Sequence, residues 1–260
     1  MGDIVYSRRG SGEPLVLIHG IGHRKEAWGP VADRLAAHHD LIALDLPGFG
    51  ASGQLPRQGR DRMDHLTEAL EGFFRDLGLD RPHVAGNSLG GAIALELAAR
   101  SSVRSATALS PAGFWTERER LWAFTVLMSI RASSYLPNPV TQQVAQRDWA
   151  RGIAMASLHA HGGRLASDAF LGDLRALRGC TAFNRVLRAG ARYAYRSQPS
   201  VPATIAWGTK DRILLPVQAE RARAQLPGLT HVLLPGAGHV PMIDEPELVT
   251  QVILDQVRAA

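Results

Sequence analysis

At 260 residues, 45% hydrophobic and 20% charged, the chain has the composition of one globular domain able to bury a sizeable core. Its formal charge of +5 and pI near 10.0 come with no nucleic-acid recognition motif, and no apolar run reaches membrane-spanning length, so neither nucleic-acid binding nor a membrane span is expected. The single cysteine, Cys180, excludes an intrachain disulfide and suits a reducing cytoplasm.

The first residues, Met1 to Tyr6, are too short and polar before Arg8-Arg9 to read as an export signal, and Met1-Gly2 lacks the Ser or Thr of a myristoylation site. Leu15-Val16-Leu17-Ile18 then reads as a buried strand, near 15–19, that ends in His19-Gly20-Ile21-Gly22; a helix follows near 25–37. A second strand, near 40–45, runs into Asp45-Leu46-Pro47-Gly48-Phe49-Gly50 and Ser52, with a helix near 59–77 beyond it. Pro82-His83-Val84-Ala85 is the core of a third strand, near 82–86, and Gly86-Asn87-Ser88-Leu89-Gly90 joins it to a helix near 88–100 made of strong helix formers. A fourth strand lies near 105–110. Between Pro111 and Ser200 the pattern is helical with no convincing strand, broken at Pro137-Asn138-Pro139 and His161-Gly162-Gly163. Within it, Leu121 to Met128 reads as a buried or amphipathic helical stretch. The strand near 203–207 leads to Gly208-Thr209-Lys210-Asp211, and a helix is expected near 217–226. The strand near 230–234 leads to Pro235-Gly236-Ala237-Gly238-His239, and a helix near 246–258 closes the chain. This alternation predicts a mostly parallel sheet covered by helices on both faces.

A serine in G-x-S-x-G at a strand-to-helix turn is held in a strained conformation with its hydroxyl pushed out of the sheet. The flanking glycines are needed because a Cβ there would collide with the neighbouring strand and helix. Ser88 also opens a helix, so N–H groups and the positive helix end face any negative charge developing beside it. The plainer alternative is a glycine-rich turn in which Ser88 is simply the helix N-cap.

Four segments together resemble the α/β-hydrolase superfamily: His19-Gly20-Ile21-Gly22, the Asp45 to Gly50 stretch with Ser52, the serine turn, and the pair of segments ending in Asp211 and His239. The resemblance implies a mostly parallel central sheet flanked by helices, with the hydrolase core in 1–111 and 201–260. It also implies a helical cap over the active site in 112–200. The family's chain order of nucleophile, acid and histidine is met by Ser88, Asp211 and His239. A serine hydroxyl needs a base, and imidazole can accept and return a proton near neutrality, which is the role implied for His239. Asp211 would hold the second ring nitrogen, and the backbone N–H groups of Ile21 and Leu89 would form the oxyanion hole. No cofactor and no metal is called for.

Other residues compete less well. His19 suits ordering of the oxyanion loop, His83 has no implied role, and His159 with His161 forms an H-x-H lacking a third metal ligand. Asp244 and Glu245 are expected as first-turn acids of the helix that Pro246 opens, and Asp45 as a structural residue before a Pro-Gly turn. After Leu109-Ser110-Pro111, where some family members carry their acid, no carboxylate appears until Glu117.

From Phe114 to Ser200 there are 12 arginines and 5 acids, a net of +7, which leaves −2 on the rest of the chain. A basic roof would attract anionic substrates; solvated helix faces in an arginine-rich chain, with 27 Arg to 2 Lys, account for the same numbers. Haloalkane dehalogenases and epoxide hydrolases carry aspartate where this chain has Ser88. Hydrolysis of a small-molecule ester or lactone needs only the parts already named and leads the possibilities. Second is a C–C hydrolase of the meta-cleavage-product type, which the serine turn also resembles, although Val240 stands where those enzymes typically carry an aromatic residue. Perhydrolysis is a side reaction open to the same residues. From a different class, the fold also serves as a small-molecule receptor or signalling partner with slow turnover. Oligomeric state is not legible.

Overall fold

The computed structural model describes residues 3–54 and 63–260. Met1-Gly2 and positions 59–62 of the helix expected near 59–77 lie outside the described residues. Seven strands, β1 (Tyr6–Arg9), β2 (Pro14–Ile18), β3 (Asp40–Leu44), β4 (His83–Asn87), β5 (Ala106–Leu109), β6 (Ala203–Gly208) and β7 (Thr230–Leu234), form one sheet ordered β1-β3-β2-β4-β5-β6-β7 among the described residues. All neighbours are parallel except β1, which runs antiparallel to β3 at the edge.

Strands β2 to β7 are those the alternation predicts; β1 is an addition. Tyr6-Ser7-Arg8-Arg9 is exposed throughout and carries no burial pattern. It is held by ladder bonds and by ion pairs from Arg8 to Asp40 at 2.7 Å and from Arg9 to Asp33 at 2.6 Å. The inner strands are apolar on both faces, as helix-covered parallel strands must be. Val16 and Ile18 of β2 belong to one core layer, while Leu15 and Leu17 belong to the other. Fully burying each such side chain is worth about 1.5–3 kcal/mol, so these strands anchor the fold.

One layer is covered by α2 (Met63–Asp76), α3 (Leu89–Ala99) and α9 (Val217–Gln225); the other by α1 (Gly29–Ala36) and α11 (Pro246–Arg258). The helix expected near 25–37 is divided: Lys25–Trp28 is a 3-10 turn, and α1 begins at Gly29 with Pro30 in its first turn. Helix α3 is almost wholly buried, and its glycines and alanines let it lie close to the sheet.

Between β5 and β6 the chain forms α4 (Glu117–Ser133), α5 (Asn138–Ala145), α6 (Asp148–Ala154), α7 (Ser167–Gly179) and α8 (Phe183–Gly190), with no strand among the described residues. Both expected breaks are present, at Pro137 and at the 3-10 turn Gly162–Arg164. Ala145, Met155, Leu165, Phe170 and Leu174 make a small core for this insertion, and Leu158 packs against it and both sheet layers. The Leu121 to Met128 stretch corrects an expectation. Ala123 is buried, but Leu121 is 69% exposed and Trp122 50%. Helix α4 is apolar on two sides because Ala123, Phe124 and Leu127 line an internal cavity while Leu121, Trp122 and Met128 face outward.

Candidate active site

The sheet order places the end of β2 between those of β3 and β4, which leave it on opposite sides. A crevice opens at the carboxyl ends of strands at such a switch point. Ser88 follows β4 there with φ 57° and ψ −112°, a conformation that costs a non-glycine residue about 1–3 kcal/mol. Ser88 stands at the N-cap position of α3, but its side chain makes no capping hydrogen bond. The turn is clamped from β5 and α3: Ser88 N–H donates to Leu109 O at 2.9 Å, and Ser88 O accepts from Ala92 and Ala112 N–H at 3.0 and 3.1 Å. A Cβ on Gly86 would collide with the Gly90 carbonyl, and one on Gly90 with the Ile18 carbonyl, which is why this turn needs both glycines.

The loop after β2 is set by His19, which is fully buried. Leu46 N–H donates to its Nε2 at 2.9 Å, so the neutral ring carries its proton on Nδ1 and donates it to Gly20 O at 2.7 Å. Burial pushes the His19 pKa down to about 4, against the smaller upward pull of the Gly20 carbonyl, so the ring is neutral at pH 7. It orders the loop, as expected, rather than serving as a base. Gly20 lies against the serine, where a Cβ would sit 3.1 Å from Ser88 Cβ. The N–H groups of Ile21 and Leu89 have no hydrogen-bond acceptor among the described residues, and both residues line the same cavity as Ser88. That cavity is about 840 Å³, in the range of small-molecule sites, and mostly apolar.

Asp211 follows β6 and His239 follows β7. Asp211 Oδ1 accepts from the N–H groups of Ile213 and Leu214 at 2.9 and 2.8 Å, which aims Oδ2 at His239 Nδ1, 2.8 Å away. A carboxylate can only accept from the ring, so Nδ1 holds the proton and Nε2 keeps its lone pair. Gly208 makes room for this crossing, since a Cβ there would strike the Gly238 carbonyl. The two halves are tied by Asn87, whose Nδ2 donates to His239 O at 2.9 Å and to Leu109 O at 3.2 Å. The five expected residues therefore form two groups, Ser88 with Ile21 and Leu89 on the cavity and Asp211 with His239 in a buried hydrogen-bonded pair, joined through the residue preceding the serine.

Asp244 corrects a second expectation. It ends the short helix α10 (Pro241–Asp244) and is fully buried; Glu245, not Asp244, stands at the N-cap position of α11. Its Oδ2 accepts from Gly238 and Ala160 N–H at 2.8 and 2.9 Å, and its Oδ1 from His161 N–H at 2.7 Å. One carboxylate thus pins the insertion to the loop that carries His239. Asn87 and Asp244 are the two positioning residues that the sequence reading did not assign.

The remaining competitors are structural. Asp45 is buried and accepts from Lys25 N–H at 2.7 Å and Ala51 N–H at 2.9 Å. His83 is buried beside Ser105 Oγ at 2.7 Å, and burial lowers its pKa. Burial brings His159 to about 4. No group of three or more metal-ligating side chains occurs among the described residues, and no helix there is long and apolar enough to cross a membrane.

Residues 15–252 match the alpha/beta hydrolase family. Over 256 residues the chain is 28% identical to Lipase 3 of Moraxella sp., a match covering 90% of this chain and 74% of that one. It is 31% identical over 259 residues to an uncharacterized protein of Mycobacterium tuberculosis, covering 91% of this chain and 73% of that one. Among solved structures, a bacterial membrane phospholipase A superposes with a TM-score of 0.75 at 28% identity, over 99% of this chain and 84% of that one. With its sheet, its serine turn and these relatives, the chain belongs to the alpha/beta hydrolase family and is a hydrolase.

Proposed function

We propose that the protein hydrolyses small-molecule carboxylic esters or lactones through Ser88, His239 and Asp211. The observation that carries this reading is the strained Ser88, its hydroxyl left uncapped on a cavity that also meets two unengaged N–H groups. The names of the lipase relatives favour an ester over other hydrolysable bonds. In the first half-reaction Ser88 Oγ bonds to the ester carbonyl carbon while His239 Nε2 takes the hydroxyl proton. The carbonyl oxygen gains the negative charge and is met by the N–H groups of Ile21 and Leu89. Collapse breaks the carbon–oxygen bond to the alcohol, which leaves with the proton from His239. Water then repeats the sequence on the acyl-enzyme and releases the acid. Asp211 fixes the tautomer throughout and stabilises the imidazolium. The insertion serves as the cap of this site, since residues of α4 and α8 line its cavity.

Ser88→Ala and His239→Ala should each lower esterase kcat/KM by about 10⁴-fold or more with the fold intact by circular dichroism. Full activity in folded Ser88→Ala protein would remove the assignment. A second reading, a receptor with slow turnover, is favoured by the exposed apolar residues of the insertion, among them Trp149 at 66% and Ile153 at 70%. Steady multiple turnover of simple esters rejects it; one stoichiometric burst followed by a stall supports it.

A further inference from the structure

The cavity beside Ser88 contains a carboxylate for which the hydrolytic steps have no use. Leu89 and Glu96 both line it and stand seven residues apart on α3, two turns along one helix face. At about 1.5 Å of rise per residue their separation is about 10 Å. Glu96 Oε1 accepts from Tyr193 Oη–H at 2.9 Å and Oε2 from Ser197 Oγ–H at 2.7 Å. Among the described residues no cation pairs with it. Its two hydroxyl partners occupy about half of the lone-pair sites that a carboxylate offers, so acceptor capacity remains at the cavity wall.

This end of the cavity is held in place by its neighbours. Gly113 has φ 116°, and a Cβ there would come within 2.8 Å of the Tyr193 ring. Trp115 Nε1 donates to Tyr193 O at 3.0 Å. Burial and the adjacent Glu96 charge raise the Tyr193 phenol well above its usual range, so it remains a donor. The arginines on the lining, Arg188 and Arg192, are exposed, and Arg188 Nε is engaged with Asn184 O at 3.1 Å. Asp64, the other carboxylate on the lining, is paired with Arg100 at 3.1 Å, so a mostly apolar cavity whose unpaired carboxylate is Glu96 favours a ligand that brings a donor to that point. An analogue without the donor leaves this half-buried acceptor to solvent.

We propose that Glu96, with Tyr193 and Ser197, forms a recognition subsite for a hydroxyl or ammonium group carried by the substrate at a distance from its ester carbonyl set by the two helical turns between Leu89 and Glu96. The subsite rests on the assignment of Ser88 as nucleophile. Its test is kcat/KM for aryl esters of alkanoic acids of graded length, each ending in methyl, hydroxyl, ammonium or carboxylate. At the length that spans Ser88 to Glu96, hydroxyl and ammonium termini should exceed methyl by about tenfold or more, and carboxylate should fall below it. In Glu96→Leu the order should invert in favour of methyl. Glu96→Gln, which keeps the shape but removes the charge, should lose the advantage of ammonium over methyl while keeping part of that of hydroxyl, and it serves alone if the leucine variant does not fold. Ratios are read within each protein, so a general loss of activity cancels. Equal ratios at every length, a carboxylate preference, or ratios unchanged by both substitutions overturn the subsite. Failure of the wild-type protein to turn over any ester, or turnover that survives Ser88→Ala, overturns the hydrolytic assignment instead.

Discussion

Replacing Asp244 should damage stability and activity together. Three backbone N–H groups converge on its buried carboxylate at 2.7, 2.8 and 2.9 Å, from His161, Gly238 and Ala160. Hydrogen bonds to a charged group are worth about 1.5–3 kcal/mol each, and a simple sum overstates the loss because the freed loops can relax toward water. Removing the buried charge also recovers part of its desolvation cost. Asp244→Ala should therefore cost about 3–5 kcal/mol, or roughly 10 °C in melting temperature for a chain of this size. Asp244→Asn keeps one acceptor oxygen but turns an NH₂ group toward an N–H, so it should cost about 2–3 kcal/mol. Gly238 precedes His239, so kcat on a short aryl ester should fall while KM changes little. Urea unfolding monitored by tryptophan fluorescence, with the slope unchanged and the midpoint shifted, measures the first effect; steady-state kinetics measures the second. An alanine variant within about 1 kcal/mol of wild type would refute the view that this carboxylate pins the insertion to the histidine loop.

The buried histidines predict sensitivity to mild acid. His19 and His159 are lowered by burial from 6.5 to about 4, so their contribution is fully present above pH 6.5 and is lost as pH falls toward 4. Between pH 6.5 and 5 each should remove about 1 kcal/mol per unit of pH, and an unfolding midpoint that stays flat across that window contradicts their burial as neutral rings. Asn87→Ala removes both amide bonds that join the serine turn to His239 O and Leu109 O. It should cost about 1–2 kcal/mol in stability and about tenfold or more in kcat, whereas unchanged kcat would show that the histidine loop is positioned without it.

What could be read from the sequence was what short segments encode by themselves. Strands β2 to β7 each contain a short apolar run, and the Ser88, Asp211 and His239 segments carry local turn chemistry. Strand β1 carried no such pattern, because its ion pairs lie with Asp33 and Asp40, far along the chain. Asn87 occupies a position in G-x-S-x-G where the motif specifies nothing, and its acceptor on His239 is 152 residues away. Asp244 was misplaced for the same reason. Pro246 and its flanking acids signal a helix start, while two of the three donors to Asp244 come from residues about eighty positions earlier. Helix α4 lacked an amphipathic stripe because one apolar side lines a cavity, which periodicity does not distinguish from protein core.

The arginine-rich insertion shows why summed charge does not describe the cavity beneath it. Arg131 donates to the carbonyls of Leu177 and Cys180 at 2.7 and 3.1 Å, and Arg178 to those of Ser134 and Leu136 at 2.7 and 3.1 Å. Arg151, itself buried, reaches the carbonyls of Leu165 and Gly163 at 2.8 and 3.2 Å. These guanidinium groups close the C-terminal ends of α4 and α7 and the 3-10 turn Gly162–Arg164, a task suited to a planar fork of five donors and not to a lysine. Their charge persists, and beyond a Debye length of about 8–10 Å it is largely screened. The net +7 of the insertion therefore acts on a ligand arriving at its surface, whereas two helical turns from the serine turn the cavity wall carries the unpaired carboxylate of Glu96, with Arg188 and Arg192 at its exposed rim. The summed charge of the insertion and the charge at the Glu96 end of the cavity have opposite sign, so a ligand that reaches this end meets an acceptor.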